Sequence, residues 1–190
     1  MPTGYKLLKE KSGKLYPLFV LTNEETPVNI WLPAKFGPRT ARGKVRSKLG
    51  ELAFRPGWHL NDEMPYVDHI YTVHDGGKYQ KDGCVWCEVE YNDTVSYCEE
   101  AHDAGWRNGS WSAVRAQLDY IPVNGYYRYK TNPTMARDWI IAGEMRVLRV
   151  LDDKEVYEIC RKHGYTPLQK YEAEKNEKTF VGHMLYAEKY

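Results

Sequence analysis

Between Arg55 and Ile70 the chain crowds Arg55, His59, Asp62, Glu63, Tyr66, Asp68 and His69 into one short stretch. The planar guanidinium of Arg55 suits bidentate capture of a phosphate or carboxylate. His59 titrates near neutral pH and can give or take a proton. Pro56-Gly57 forces a tight turn between them, and polar side chains presented where a strand feeds a turn often contact ligands. The same residues have a structural reading, in which Arg55 and Asp62 pin the turn and His59 satisfies buried backbone groups. Both readings stand at this point.

Cys84, Cys87, Cys98 and His102 fall in a C-x2-C-x10-C-x3-H pattern, formally a zinc-like spacing. A tetrahedral site needs all four donors to converge. Cys84 and Cys87 lie on a segment that alternates as a strand, which aims them in different directions. Cys98 and His102 are one helical turn apart and could share a face. The expectation is no metal and no cofactor.

Two basic clusters could meet nucleic acid. Arg39, Arg42, Lys44, Arg46 and Lys48 sit among Gly, Pro and Ser without a hydrophobic period, which predicts an exposed basic loop able to neutralise phosphates. Arg128, Lys130, Arg137, Arg146 and Arg149 are interleaved with Tyr126, Tyr127, Tyr129 and Trp139, whose rings could stack on unpaired bases. The alternative is a solvated loop and strand-edge charges that discourage aggregation.

The elements that must position these groups are mostly short strands. Tyr5–Leu8 and Leu15–Leu21 flank a Lys11-Ser12-Gly13-Lys14 turn, and Val28–Leu32 between Pro27 and Pro33 reads as an edge strand. Leu52–Phe54 is a short strand running into the Arg55 turn, and Asn61 or Asp62 can cap a helix over Pro65–Ile70. Gly76-Gly77 marks a hairpin tip, Val85–Tyr91 alternates as a half-buried strand, and Thr94–Ala104 suits a helix closed by Gly105. Asn124-Gly125 turns into the aromatic strand Tyr126–Tyr129. Trp139–Val150 is the longest apolar run and carries Gly143 as a bend. Asp152 and Glu155 form a capping-box pattern for a helix through Lys162, stopped by Gly164. The expected fold is α+β: one domain over residues 1–168, with a twisted, mostly antiparallel mixed sheet flanked by short helices. Residues 169–190 are read as a helical arm or mobile tail.

Composition narrows the class. The chain of 190 residues is 42% hydrophobic, enough for a core and unlike a disordered chain. A net charge of +1 supplies no global attraction to nucleic acid or membrane, so any such contact must be local. No apolar run approaches the roughly 20 residues of a membrane span. With no signal-like start, the 4 cysteines read as reduced thiols and the protein as cytoplasmic, in a host cell. The 16 Tyr and 6 Trp against 4 Phe favour half-exposed grooves and interfaces, where a ring buries one end and wets the other.

Two resemblances add to this reading. A short strand ending in Arg or His, a helix after a Pro-Tyr step, an aromatic middle strand and a late strand carrying Glu resemble the layout of the ADP-ribosyltransferases. That likeness implies NAD, with His59 holding the dinucleotide, Tyr126 or Tyr127 packing the nicotinamide and Glu144 stabilising the ribosyl cation. The chain lacks that family's Ser-Thr-Ser strand. Separately, Lys14-Leu15-Tyr16-Pro17-Leu18, Leu52-Ala53-Phe54-Arg55-Pro56-Gly57-Trp58-His59-Leu60, Gly125-Tyr126-Tyr127-Arg128-Tyr129 and Trp139-Ile140-Ile141-Ala142-Gly143-Glu144-Met145 resemble a little-characterised family of phages and conjugative elements of gut bacteria. This resemblance implies a mobile-element origin and an anti-defence role like that of the type II anti-CRISPR proteins, which bind Cas9 with its guide RNA. The recognition surface would combine Arg55, Trp58, His59, Asp62 and Tyr66 with Tyr126, Tyr127, Arg128 and Lys130.

Overall fold

The computed structural model describes residues 1–107 and 116–173. The chain divides into two compact units, one of Met1–Asp68 with Gly83–Pro167, the other of His69–Asp82 with the segment from Leu168. The boundary at residue 167/168 thus comes with a second one, because the 69–82 insertion belongs with the C-terminal segment.

In the larger unit, β1 (Thr3–Lys11), β2 (Lys14–Tyr16), β9 (Cys84–Tyr91), β13 (Glu144–Val150) and β3 (Trp31–Pro33) form a sheet in the order β2-β1-β9-β13-β3. A second sheet runs β10 (Val95–Ser96), β11 (Gly125–Tyr129), β12 (Trp139–Ala142), β6 (Trp58–Leu60). All pairings in both sheets are antiparallel except β10 with β11. The fold is therefore α+β and mainly strand, with curled sheets.

The curl has an identifiable cause. β12 passes directly into β13 through Gly143, so one stretch of chain serves both sheets. Its backbone is gripped on both sides: Gly143 N donates to Gly125 O at 2.9 Å, and Gly143 O accepts from Ala34 N at 2.7 Å. A Cβ at Gly143 would lie 1.8 Å from the Pro122 carbonyl oxygen, so only glycine fits. On the opposite side, Tyr5 and Asn61 exchange backbone bonds of 2.7 and 2.9 Å and bring the end of β6 back to β1. The path β1-β9-β13-β12-β6 thereby returns to its start. It encloses Leu8, Leu60, Cys87, Val89, Ile140, Ala142, Met145 and Val147, each large aliphatic contributing about 1.5–3 kcal/mol by burial.

Helix α1 (Cys98–Arg107) starts four residues later than its predicted position, because Val95 and Ser96 are drawn into β10, and it continues past Gly105. Helix α2 (Asp153–Lys162) begins where the capping box predicts: the Asp152 side chain accepts from Glu155 N, and Glu155 Oε2 accepts from Asp152 N. The helix expected over 65–70 does not form. Met64, Pro65, Tyr66 and Val67 are all buried, and the Cys160 thiol donates to Pro65 O while the Tyr165 hydroxyl donates to Val67 O. A helix would have turned half of these side chains outward. The strand expected over Leu15–Leu21 stops at Tyr16, just before Pro17.

The predicted basic loop also holds a strand pair, β4 (Val45–Ser47) with β5 (Gly50–Leu52). Val45 is buried, a single apolar anchor too sparse to show a period in sequence.

In the smaller unit, β7 (Tyr71–His74) pairs with β8 (Gly77–Gln80) around the Asp75-Gly76 turn. Gln80 N donates to Gln169 O at 2.8 Å, and Tyr171 stacks on His74 with centroids 4.0 Å apart. The remainder of the expected C-terminal arm, from residue 174, lies outside the described residues. Among the described residues no helix is long and apolar enough to cross a membrane.

Candidate functional site

The Arg55 turn and the Tyr-rich strand flank the same central strand. In the β6-β12-β11 ladder, Trp58 faces Ala142, which faces Tyr126; His59 faces Ile141, which faces Tyr127. Residues directly opposite share a face of the sheet, and successive residues alternate. Trp58 and Tyr126 therefore point to one face, with the enclosed core. His59, Tyr127, Tyr129 and Trp139 point to the other.

On this second face the Arg55 guanidinium lies 4.5 Å over the Tyr129 ring, and its Nε donates to Ala116 O at 3.1 Å. The His59 ring makes edge contacts with Tyr129 at 5.8 Å and Trp139 at 6.2 Å. Its Nδ1 lies 3.3 Å from Gly57 O, an acceptor, which selects the Nδ1–H tautomer. Burial, helped by the nearby positive charges of Lys6 and Arg55, pushes the His59 pKa down to about 3. The imidazole is neutral at physiological pH and held by its neighbours.

Tyr127 is fully buried, and burial raises its pKa. Its hydroxyl lies toward the Leu118 backbone without a hydrogen bond of good geometry. Tyr66 is also buried; its hydroxyl donates to Asp68 Oδ2 and accepts from Ala136 N, both at 3.1 Å. Neither ring is available as a surface anchor, contrary to the expectation for Tyr66 and Tyr127. Trp58 and Tyr126 keep partial exposure, although the Trp58 indole N–H is spent on Leu32 O at 2.7 Å. Asp62 is tied to Arg128 at 2.6 Å. Lys130 is half-exposed.

Of the set expected for NAD chemistry, His59 and Tyr126 occupy opposite faces, Tyr127 shares the His59 face but is fully buried, and the Glu144 carboxylate accepts from the Asn92 side chain at 2.9 Å. The zinc-like set is dispersed. Cys84 and Cys87, three positions apart on β9, face opposite sides and are both buried, while His102 is exposed and edges onto Trp106 at 6.3 Å. Among the described residues no group of three metal-ligating side chains forms. Burial pushes the Cys87 thiol up to about 12, which makes it inert rather than nucleophilic.

The second basic cluster is mostly internally neutralised. Arg128 pairs with Asp62, Arg137 with Glu63, Arg146 with Glu90, and Arg149 with Glu88 and Glu155. In the first cluster Arg39 pairs with Asp119 and covers Phe54 at 4.4 Å, but Lys44, Arg46 and Lys48 are exposed.

One polar group escaped sequence reasoning. Lys6 Nζ donates to His59 O at 2.8 Å and lies 5.5 Å from the Trp58 ring centroid, and burial pushes its pKa down to about 8. It occupies the stretch where β6 and β1 diverge beyond Tyr5–Asn61, and satisfies a carbonyl that a ladder bond would otherwise have taken. Its signal was the phase of β1, in which Gly4, Lys6 and Leu8 share a face.

No family model, curated protein or solved structure matches the chain.

Proposed function

We propose that this chain is a binding protein rather than a catalyst, and that its partner is a host defence protein, most concretely a CRISPR effector nuclease such as Cas9 with its guide RNA. The host cytoplasm is the place of action in this reading, and no cofactor is required. The observation that supports the non-catalytic part is the opposite facing of His59 and Tyr126 across one sheet, together with the full burial of Tyr127, the other expected ring. Neutral His59, Arg55 on Tyr129, and Glu144 on Asn92 are groups engaged in holding the fold. The choice of partner leans on the mobile-element resemblance and on the Tyr- and Trp-rich composition.

Half-exposed Trp58 and Tyr126, with Lys130, remain as contact candidates, together with the exposed rim of the β4-β5 hairpin. The near-neutral net charge favours apolar and aromatic anchoring over wholesale imitation of DNA. Co-purification with the Cas9–guide complex tests the reading, and its absence at micromolar concentrations removes it. The competing transfer of ADP-ribose is tested separately by incubation with NAD and a host lysate followed by mass spectrometry. No ADP-ribosylated product is expected.

A further inference from the structure

In the β4-β5 hairpin several basic side chains stay exposed close together in the chain, Arg42, Lys44, Arg46 and Lys48. Val45 is buried and anchors the inner face, so Arg46 points outward, opposite Glu51 in register. Alternation puts Lys44 on the same outward side. Arg42 reaches Glu51 at 3.9 Å from the adjoining turn, and Lys48 with Leu49 forms the tip. Arg42, Lys44, Arg46 and Lys48 thus stand against the carboxylate of Glu51, an excess of three positive charges. Along the strand, outward positions recur at about 7 Å. Leu49, at the tip next to Lys48, is 63% exposed, and Phe36, whose ring centroid lies 6.2 Å from that of Phe54, is 59% exposed. The contrast with Arg128, Arg137, Arg146 and Arg149, each closed onto a carboxylate, is what singles the hairpin out.

From this we infer that the β4-β5 hairpin binds the phosphodiester backbone of a nucleic acid, with Arg42, Lys44, Arg46 and Lys48 neutralising phosphates and Leu49 leading at the tip. A two-stranded ribbon has the cross-section that a duplex major groove admits. Phe36 offers a ring on which an unpaired base could stack. The inference assigns the four cations to phosphates, and contacts to phosphate carry no sequence information directly, so binding is expected to be sequence-tolerant. It stands independently of the nuclease reading above.

The test is fluorescence anisotropy with a labelled duplex and a labelled single strand of the same sequence, using the full chain. Neutralising three phosphates corresponds to an affinity loss of about 40-fold for the duplex between 50 and 200 mM salt, and about 20-fold for the single strand. K44E/R46E/K48E is expected to weaken binding at least tenfold with an unchanged circular dichroism melt, since these side chains are solvated. K154E/R161E/K162E, which removes as many exposed charges from α2, is expected to bind like the parent. Tighter binding of either probe identifies which nucleic acid the hairpin prefers. Absence of binding to both probes at 50 mM salt, or equal losses in the two triple variants, overturns the inference.

Discussion

The Arg128 guanidinium meets the Asp62 carboxylate at 2.6 Å, joining β11 to the end of β6 across β12. Two segments far apart in sequence, each suggesting ligand contact by itself, here neutralise each other. Because both side chains keep some exposure, 40% and 26%, the pair contributes about 1 kcal/mol or less. A double-mutant cycle with R128A and D62A, read by urea unfolding, is expected to return a coupling of that size that shrinks in 1 M salt. A coupling of zero at low salt would mean that the pair adds nothing to stability.

Gly143 is expected to tolerate no side chain. Gly143→Ala places a carbon against the Pro122 carbonyl at the corner shared by both sheets, and should cost about 3 kcal/mol or more. Chemical denaturation measures it. A variant of parental stability would show that the corner is not where the chain is most constrained.

Among the described residues the buried hydroxyl of Tyr127 makes no hydrogen bond of good geometry. Tyr127→Phe should therefore be neutral or stabilising by up to about 1 kcal/mol. A clear loss in thermal melting would mean that the hydroxyl is bonded after all.

His59 links stability to acid. Its folded pKa of about 3 lies below the ordinary 6.5, so the unfolded chain binds the extra proton first. The stabilisation is complete above pH 6.5 and is lost as pH falls from there toward 3. Unfolding free energies measured across that window should decline more steeply for the parent than for His59→Gln. Parallel curves would place the imidazole in water.

These expectations also show what sequence could and could not reveal. The alternation of Val85–Tyr91, the Asn124-Gly125 turn, the bend at Gly143 and the Asp152–Glu155 cap were legible because each is a local signal with a local cause. Pro65–Ile70 misread as a helix because its fate depends on Cys160 and Tyr165, about a hundred residues away. The Arg55 turn and the Tyr126–Tyr129 strand are expected to form one surface and do meet where Arg55 covers Tyr129, with β12 between their strands. Sequence could not say that Tyr127 is fully buried on the His59 face while Tyr126, on the other, keeps partial exposure. That depends on the phase set by pairing with β12. The same phase separates His59 from Tyr126. The pairing of the arginines escaped for a similar reason: Glu88 and Glu90 looked like surface charges until β13 brought Arg149 and Arg146 beside them.

Titrating Cas9–guide complex with the parent chain and with Glu144→Gln, while following DNA cleavage with and without NAD, most directly tests binding without catalysis. Stoichiometric inhibition of equal strength by both proteins is the expected result. Undiminished cleavage at large molar excess would contradict the choice of partner, and inhibition that appears only with NAD and vanishes in Glu144→Gln would contradict the non-catalytic reading itself.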